Sequence, residues 1–165
     1  MNARLEKFSM HVATSADEPT LWQMLMYAAH ETSAAAVSAN PDLARYVEGW
    51  GRKGDVGVIA EAFLPVGAAW LRLLPYHNRG YGYVADDIPE LAIAVLPTFR
   101  GQGIGTDLLK AVISAAQTQF PAISLSIRAD NPALRLYERC GFVLINESQV
   151  RNRTGGLSFT MVHRF

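Results

Sequence analysis

The run Arg100-Gly101-Gln102-Gly103-Ile104-Gly105 alternates glycine with other residues behind a guanidinium, a composition suited to gripping an anion through backbone groups. Glycine lets the chain turn tightly and lets a ligand come close to the backbone. The first turn of a helix adds free N–H groups and the positive end of the helix dipole. Both conditions meet here. Glu90 to Leu96 reads as a strand ended by Pro97, and Ile104, Leu108, Val112 and Ala115 or Ala116 form the stripe of a helix running to Gln119. Strand, glycine loop and helix in that order make a pyrophosphate site that needs no metal. Spacing excludes two other phosphate loops. The dinucleotide fingerprint requires glycine where Thr106 stands and an acid further on, yet none lies between Leu108 and Ala129. A Walker A loop requires Gly-Lys-Ser/Thr, and Lys110 falls well inside the helix.

The elements around this loop follow from periodicity. Phe8 to Thr14 reads as a strand, and Ser15-Ala16-Asp17-Glu18 has the spacing of a capping box opening a helix with Trp22, Leu25, Met26 and Ala29 as its buried stripe. Asn40 caps a second helix that begins at Pro41, buries Leu43, Tyr46, Val47 and Trp50, and ends at Gly49, Gly51 and Gly54. Val56 to Phe63 and Val66 to Leu74 form a hairpin across Leu64-Pro65, and Pro75 to Pro89 is a polar, aromatic loop of a length that often carries function. Beyond the glycine loop and its helix, Ala122 to Arg128 is a strand and Pro132 to Cys140 a helix closed by Gly141. Phe142 to Ile145 and Leu157 to Val162 are the last two strands. This alternation predicts one α/β domain over residues 1–165, a central mixed sheet of about seven strands with helices on both faces.

Composition narrows the partners. Half of the 165 residues are hydrophobic and 18% are charged, the balance of a chain that folds by itself. Fifteen Lys plus Arg offset fifteen Asp plus Glu with no run of one sign, so the field that would hold a nucleic acid is missing. No apolar run approaches the ~20 residues of a membrane helix. The opening Met1 to Lys7 has no apolar signal core and Cys140 has no second cysteine to pair with, so a cytoplasmic protein is expected.

The spacing Arg-x-x-Gly-x-Gly at Arg100, Gly103 and Gly105, preceded by Val95-x-Pro97, resembles the acetyl-CoA pyrophosphate loop of the GNAT superfamily of N-acetyltransferases. Asn131-Pro132-Ala133-Leu134-Arg135-Leu136-Tyr137-Glu138-Arg139-Cys140-Gly141-Phe142 resembles the family's second motif at the expected distance. The likeness is sharp over about Glu90 to Phe142, and the flanking element order agrees. It implies a single GNAT domain whose splayed central strands hold acetyl-CoA as co-substrate, with no metal, and direct transfer of the acetyl group to a primary amine in a ternary complex. It implies that backbone groups of Ile93, Ala94 and Val95 hold pantetheine and polarise the thioester carbonyl. Gly101 would shape the turn, Gln102, Gly103, Ile104, Gly105 and Thr106 would offer N–H groups to the pyrophosphate, and Arg100 would add charge. Asn131 would contact the CoA arm or cap the helix at Pro132; it stands six residues before Tyr137, where the familiar spacing is seven and falls on Asp130. Tyr137 matches the tyrosine that protonates the departing thiolate, and its spacing with Ala133, Leu136 and Cys140 is equally that of a core stripe. Cys140 is structural.

An ammonium cannot attack a thioester, so a proton acceptor is required. Glu90 is the candidate, because relatives carry at this strand start an acid that works through water. Glu61 is the second choice, while His77, Asp86 and Asp87 lie on a loop of unspecified direction. Relatives choose their acceptors with segments outside the shared motifs, here Glu31 to Asn40, Pro75 to Pro89 and Glu147 to Gly156. Tyr76, Tyr81, Tyr83, Asp86 and Asp87 point toward a cationic or aromatic small-molecule amine. A peptide or protein acceptor needs an open groove, which the short turn between the final strands permits. The alternative from another class is a CoA-binding sensor or interaction domain without turnover, against which Tyr137 and the strand acid argue; a homodimer stays open.

Overall fold

The computed structural model describes residues 8–165. Met1 to Lys7, the segment read as lacking a signal core, lie outside the described residues. In chain order the elements are β1 (Ser9–Val12), α1 (Glu18–Ala28), α2 (Ala34–Ser38), α3 (Pro41–Ala44), β2 (Val56–Glu61), β3 (Pro65–Arg72), β4 (Glu90–Val95), α4 (Ile104–Ala116), β5 (Ala122–Arg128), α5 (Leu134–Arg139), β6 (Val143–Leu144), β7 (Val150–Arg151) and β8 (Leu157–Arg164). The strands form one mixed sheet in the order β1-β2-β3-β4-β5-β8-β6, with β7 also on β8. Every pairing is antiparallel except β4 with β5, and that parallel pair has a single register match, Glu90 with Ser124. Beyond it the two strands diverge.

The two faces of the sheet carry different layers. α4 and Tyr137 of α5 pack with Leu71, Leu91, Ile123, Leu125 and Ile127 on one face. α1 and the segment around α3 pack with Ile59, Ala68, Trp70 and Ala94 on the other. Side chains alternate along a strand. Leu91, Ile93 and Val95 therefore lie toward α4. Glu90, Ala92 and Ala94 lie toward α1, and on β5 Ser124, Ser126 and Arg128 stand opposite the α4-facing Leu125 and Ile127.

Four expectations need correction. The α1 stripe is Leu21, Met24 and Leu25, with Trp22, Met26 and Ala29 only partly buried. Leu21, Met24, Leu25 and Ala28 also fit i, i+3, i+4, i+7 spacing, and contact with β4 and β3 selects that phase. The capping group is one residue earlier, where the Asp17 carboxylate accepts the Thr14 N–H at 2.8 Å. Ser33 caps the unforeseen α2 by accepting from Ala36 N at 3.1 Å. The helix capped by Asn40 stops after four residues, because side chains of β3 claim the carbonyls that would continue it. Trp70 Nε1 donates to Tyr46 O at 2.9 Å, and Arg72 Nη1 donates to Arg45 O at 3.2 Å and to Glu48 O. Arg72 is itself fully buried and doubly bonded to Asp55 at 3.0 and 2.7 Å. Residues 45–50 consequently become turns that still bury Tyr46, Val47 and Trp50.

Candidate active site

A cavity of about 780 Å³ occupies the gap where β4 and β5 part, within the size range of small-molecule sites. Its walls include Leu91 to Val95 from β4, Leu125, Ser126 and Arg128 from β5, the glycine loop, Tyr137, and Tyr46 and Tyr81 from the opposite layer. β4 pairs with β3 along its full length, Gly67 with Val95 through Arg72 with Glu90, but with β5 only at Glu90. Successive backbone groups on its free side consequently line the cavity without a ladder partner, an arrangement ready to pair with an extended ligand.

Gly103 is the N-cap of α4 and holds φ 81°, while Gly101 holds φ 75°. Both angles are left-handed and favour glycine. The first-turn N–H groups of Ile104, Gly105 and Thr106 have no acceptor one turn back. Arg100 stands beside them and donates through Nε to Val95 O at 3.1 Å. Every residue from Arg100 to Thr106 except Gln102 lines the cavity, as do Ile93, Ala94 and Val95. Asn131 also reaches it, but Oδ1 accepts from Ala133 N at 2.8 Å and so shapes the start of α5. The N-cap of α5 is Ala133 and not Asn131, so Asn131→Ala is expected to cost about 1 kcal/mol of stability, the ordinary net value of one hydrogen bond, measurable by urea unfolding.

Tyr137 is 8% exposed, packs edge-on against Phe142 at 5.8 Å between centroids, and lines the cavity from the α4–α5 face. Burial pushes its hydroxyl up to about 12, so it stays protonated at neutral pH. Both readings of its spacing are therefore compatible, a packed ring and a hydroxyl at the cavity.

Glu90 is 2% exposed and does not touch the cavity directly. Its Oε1 accepts from Gly82 N at 2.6 Å and from the Tyr46 hydroxyl at 3.1 Å, and its Oε2 accepts from Gly80 N at 2.8 Å. Burial raises this carboxyl above the usual range, against the opposing pull of the Gly82, Tyr46 and Gly80 hydrogen bonds and the Arg45 charge. Of the side chains bonded to Glu90, Tyr46 lines the cavity, and its hydroxyl also accepts the Tyr81 N–H at 2.9 Å. Glycine is required at two points of the loop. A side chain on Gly80 would collide with Glu90 and the Tyr46 hydroxyl, and one on Gly82 would lie 2.6 Å from the Leu125 carbonyl carbon. The alternation Gly80-Tyr81-Gly82 inside an aromatic loop was the available signal for this anchor.

Other candidates lie elsewhere. Glu61 sits near His11 at the far edge of the sheet, 3.9 Å from its Nδ1. Asp86 accepts from the Tyr83 hydroxyl at 2.7 Å and from Tyr76 N at 3.0 Å, and of the five loop residues that suggested a cationic acceptor only Tyr81 lines the cavity. Cys140 faces a different depression with Lys110, Arg139 and His163. Among the described residues no cluster of His, Cys, Asp and Glu is gathered as metal ligands would be, and no helix is long and apolar enough to cross a membrane.

A family model described as an acetyltransferase (GNAT) domain matches residues 54–144, more than half of the chain. Solved structures share the fold. Ribosomal-protein-alanine N-acetyltransferase from Brucella melitensis is 24% identical with TM-score 0.70, covering 95% of this chain and 99% of that one. A putative acetyltransferase, yncA, from Salmonella typhimurium, solved with acetyl-CoA, is 19% identical with TM-score 0.71 over 96% and 94%. Spermidine/spermine N-acetyltransferase SpeG from Vibrio cholerae is 17% identical with TM-score 0.63 over 98% and 95%. No curated protein matches the sequence.

Proposed function

The chain belongs to the GNAT acetyltransferase family, and from that premise we propose that it transfers the acetyl group of acetyl-CoA to the primary amine of a small molecule by direct attack. The observation that carries this reading is that the cavity passes through the sheet, with Tyr137 on the α4–α5 face and the Glu90–Tyr46 pair on the α1 face. On this reading Tyr137 serves as proton donor and the Glu90–Tyr46 pair as proton acceptor, from opposite sides of the gap. The reading treats residues 1–165 as one domain with a cofactor core at about 90–142, and the single Cys140 fits a reducing, cytoplasmic setting.

The residues present fit acetyl-CoA, which supplies an acetyl thioester. Gln102 to Thr106 present N–H groups to the pyrophosphate, Gly101 sets the turn, and Arg100 adds positive charge. Ile93, Ala94 and Val95 offer the unpaired backbone groups of β4 to the pantetheine amides and to the thioester carbonyl oxygen. Asn131 borders the same arm. On the α1 face the Tyr46 hydroxyl passes a proton to Glu90 as it takes one from the ammonium, directly or through water, so the free amine can attack the carbonyl carbon. As the carbon–sulfur bond breaks, Tyr137 gives its proton to sulfur and is reprotonated, through water, by the second proton that the nitrogen sheds, so the amide and CoA leave as neutral amide and thiol.

Acetyl-CoA consumption over a panel of amines, alongside calorimetric titration with acetyl-CoA, tests this reading. Turnover of at least one amine is expected. Gly103→Val forces a branched side chain into the left-handed conformation and toward the pyrophosphate, so acetyl-CoA should bind roughly tenfold or more weakly in a folded protein. Wild-type affinity in that variant would remove the glycine loop from the binding site.

A further inference from the structure

The charged groups that line the cavity are all basic: Arg100, Arg128 and Arg153, with His30 beside them and no Asp or Glu. Arg100 belongs to the glycine loop, and its charge reaches His30 as that of Arg128 does; Arg128, Arg153 and His30 come from β5, the turn before β8 and the end of α1. Arg128 ends β5 on the face turned toward α1, alongside Ser126. His30 follows α1 with φ 56°, a left-handed angle uncommon for a residue with a side chain. Arg153, in the turn between β7 and β8, reaches across to the end of α1, where it donates to the Glu31 carboxylate and, through Nη2, to Ala29 O at 2.9 Å. This link ties the turn before β8 to the end of α1 beside the cavity, whose lining includes Ala29 and Arg153.

Glu31 answers one of these charges, that of Arg153. Among the described residues Arg128 has no carboxylate within ion-pair distance. The crowding is felt at His30, which partial burial and then the charges of Arg128 and Arg100 hold below the ordinary imidazole range, with Asp130 opposing. An all-basic lining repels a polyamine. A guanidinium with a free fork is suited to a carboxylate, which it can hold through two parallel hydrogen bonds.

We propose that Arg128, with His30 beside it, binds a carboxylate of the acceptor near the Arg153–Glu31 link, so that the acceptor is a small amino acid rather than a polyamine or a polypeptide N-terminus. This rests on the acetyl-transfer reading above and adds the acceptor's class. The carboxylate is held at Arg128, and its amine then extends inward toward Tyr46.

The test is acetyl-CoA consumption with the twenty common amino acids, their carboxamides, spermidine and short peptides, using the full chain. The best free amino acid should exceed its own carboxamide in kcat/KM by about 30-fold or more, and Arg128→Gln should narrow that ratio to within about threefold. Arg128→Lys, which keeps charge but not the fork, should fall between, and the wild-type comparison stands even if neither variant folds. A carboxamide, spermidine or a peptide turned over as well as the best amino acid would overturn the proposal. So would an Arg128→Gln variant that loses tenfold in acetyl-CoA affinity by calorimetry, since Arg128 would then serve the phosphates. Turnover of other amines alone sinks only this inference, whereas bound acetyl-CoA with no amine acetylated sinks the acetyl-transfer reading as well.

Discussion

Glu90→Gln is expected to lower kcat/KM by roughly 10²-fold or more at neutral pH while acetyl-CoA still binds. The proton to be removed belongs to an alkyl ammonium with a pKa of about 10, and Glu90 is the carboxylate bonded, at 3.1 Å, to the hydroxyl of Tyr46, a residue of the cavity wall. A base must be unprotonated to act, so the wild-type rate should fall as pH drops through the ionisation of Glu90, which burial places above the usual carboxylate range. The Gln variant should lack that acid limb and recover only as alkaline pH frees the amine. Gln also turns an NH₂ toward Gly80 or Gly82, whose N–H groups now point at carboxylate oxygens. Leaving one buried donor unpaired costs about 1–3 kcal/mol, so a lowered melting temperature is expected too. Tyr46→Phe tests the same link from its other end. It leaves both glycine N–H groups on Glu90 but removes the hydroxyl and with it the acceptor of the Tyr81 N–H, so it should reproduce the kinetic loss with a stability loss of similar size. Wild-type pH–rate profiles in both variants would show that neither residue carries the proton.

Tyr137→Phe should reduce kcat by about 10²-fold and leave acetyl-CoA affinity nearly unchanged. The ring that packs against Phe142 is retained, so the fold loses little. What disappears is a hydroxyl that stays protonated to about pH 12 and therefore remains a donor across the working range. Its proton matters only when negative charge reaches sulfur, which is why the loss should appear in kcat and not in binding. A turnover number within about threefold of wild type would leave Tyr137 as a packing residue.

Much of the glycine-loop wall of the cavity was legible in the chain because its signals are local. The glycine loop, the strand before it and the helix after it occupy Glu90 to Ala116 without interruption, and β5 was bounded at Ala122 and Arg128 by its apolar pattern. The α4 stripe was readable for the same reason, since Ile104, Leu108, Val112 and Ala116 repeat at helical spacing and are all buried. Where two phases fitted equally, as in α1, periodicity could not choose, and packing on β3 and β4 did.

The wall of the cavity that faces α1 was decided by tertiary contact. Tyr46 looked like one more apolar position of a helix, yet the helix ends at Ala44 because Trp70 and Arg72 take the following carbonyls, and this turns the Tyr46 hydroxyl toward Glu90, 44 residues away. Arg153 meets Glu31 across 122 residues, and neither position has a local pattern to mark it. A glycine loop between a strand and a helix is built from neighbours in sequence, so residue type and spacing encode it. The Glu90–Tyr46 pair and the basic groups of the cavity wall are side chains brought together by the packing of separate layers on one sheet, and their meeting is a property of the fold.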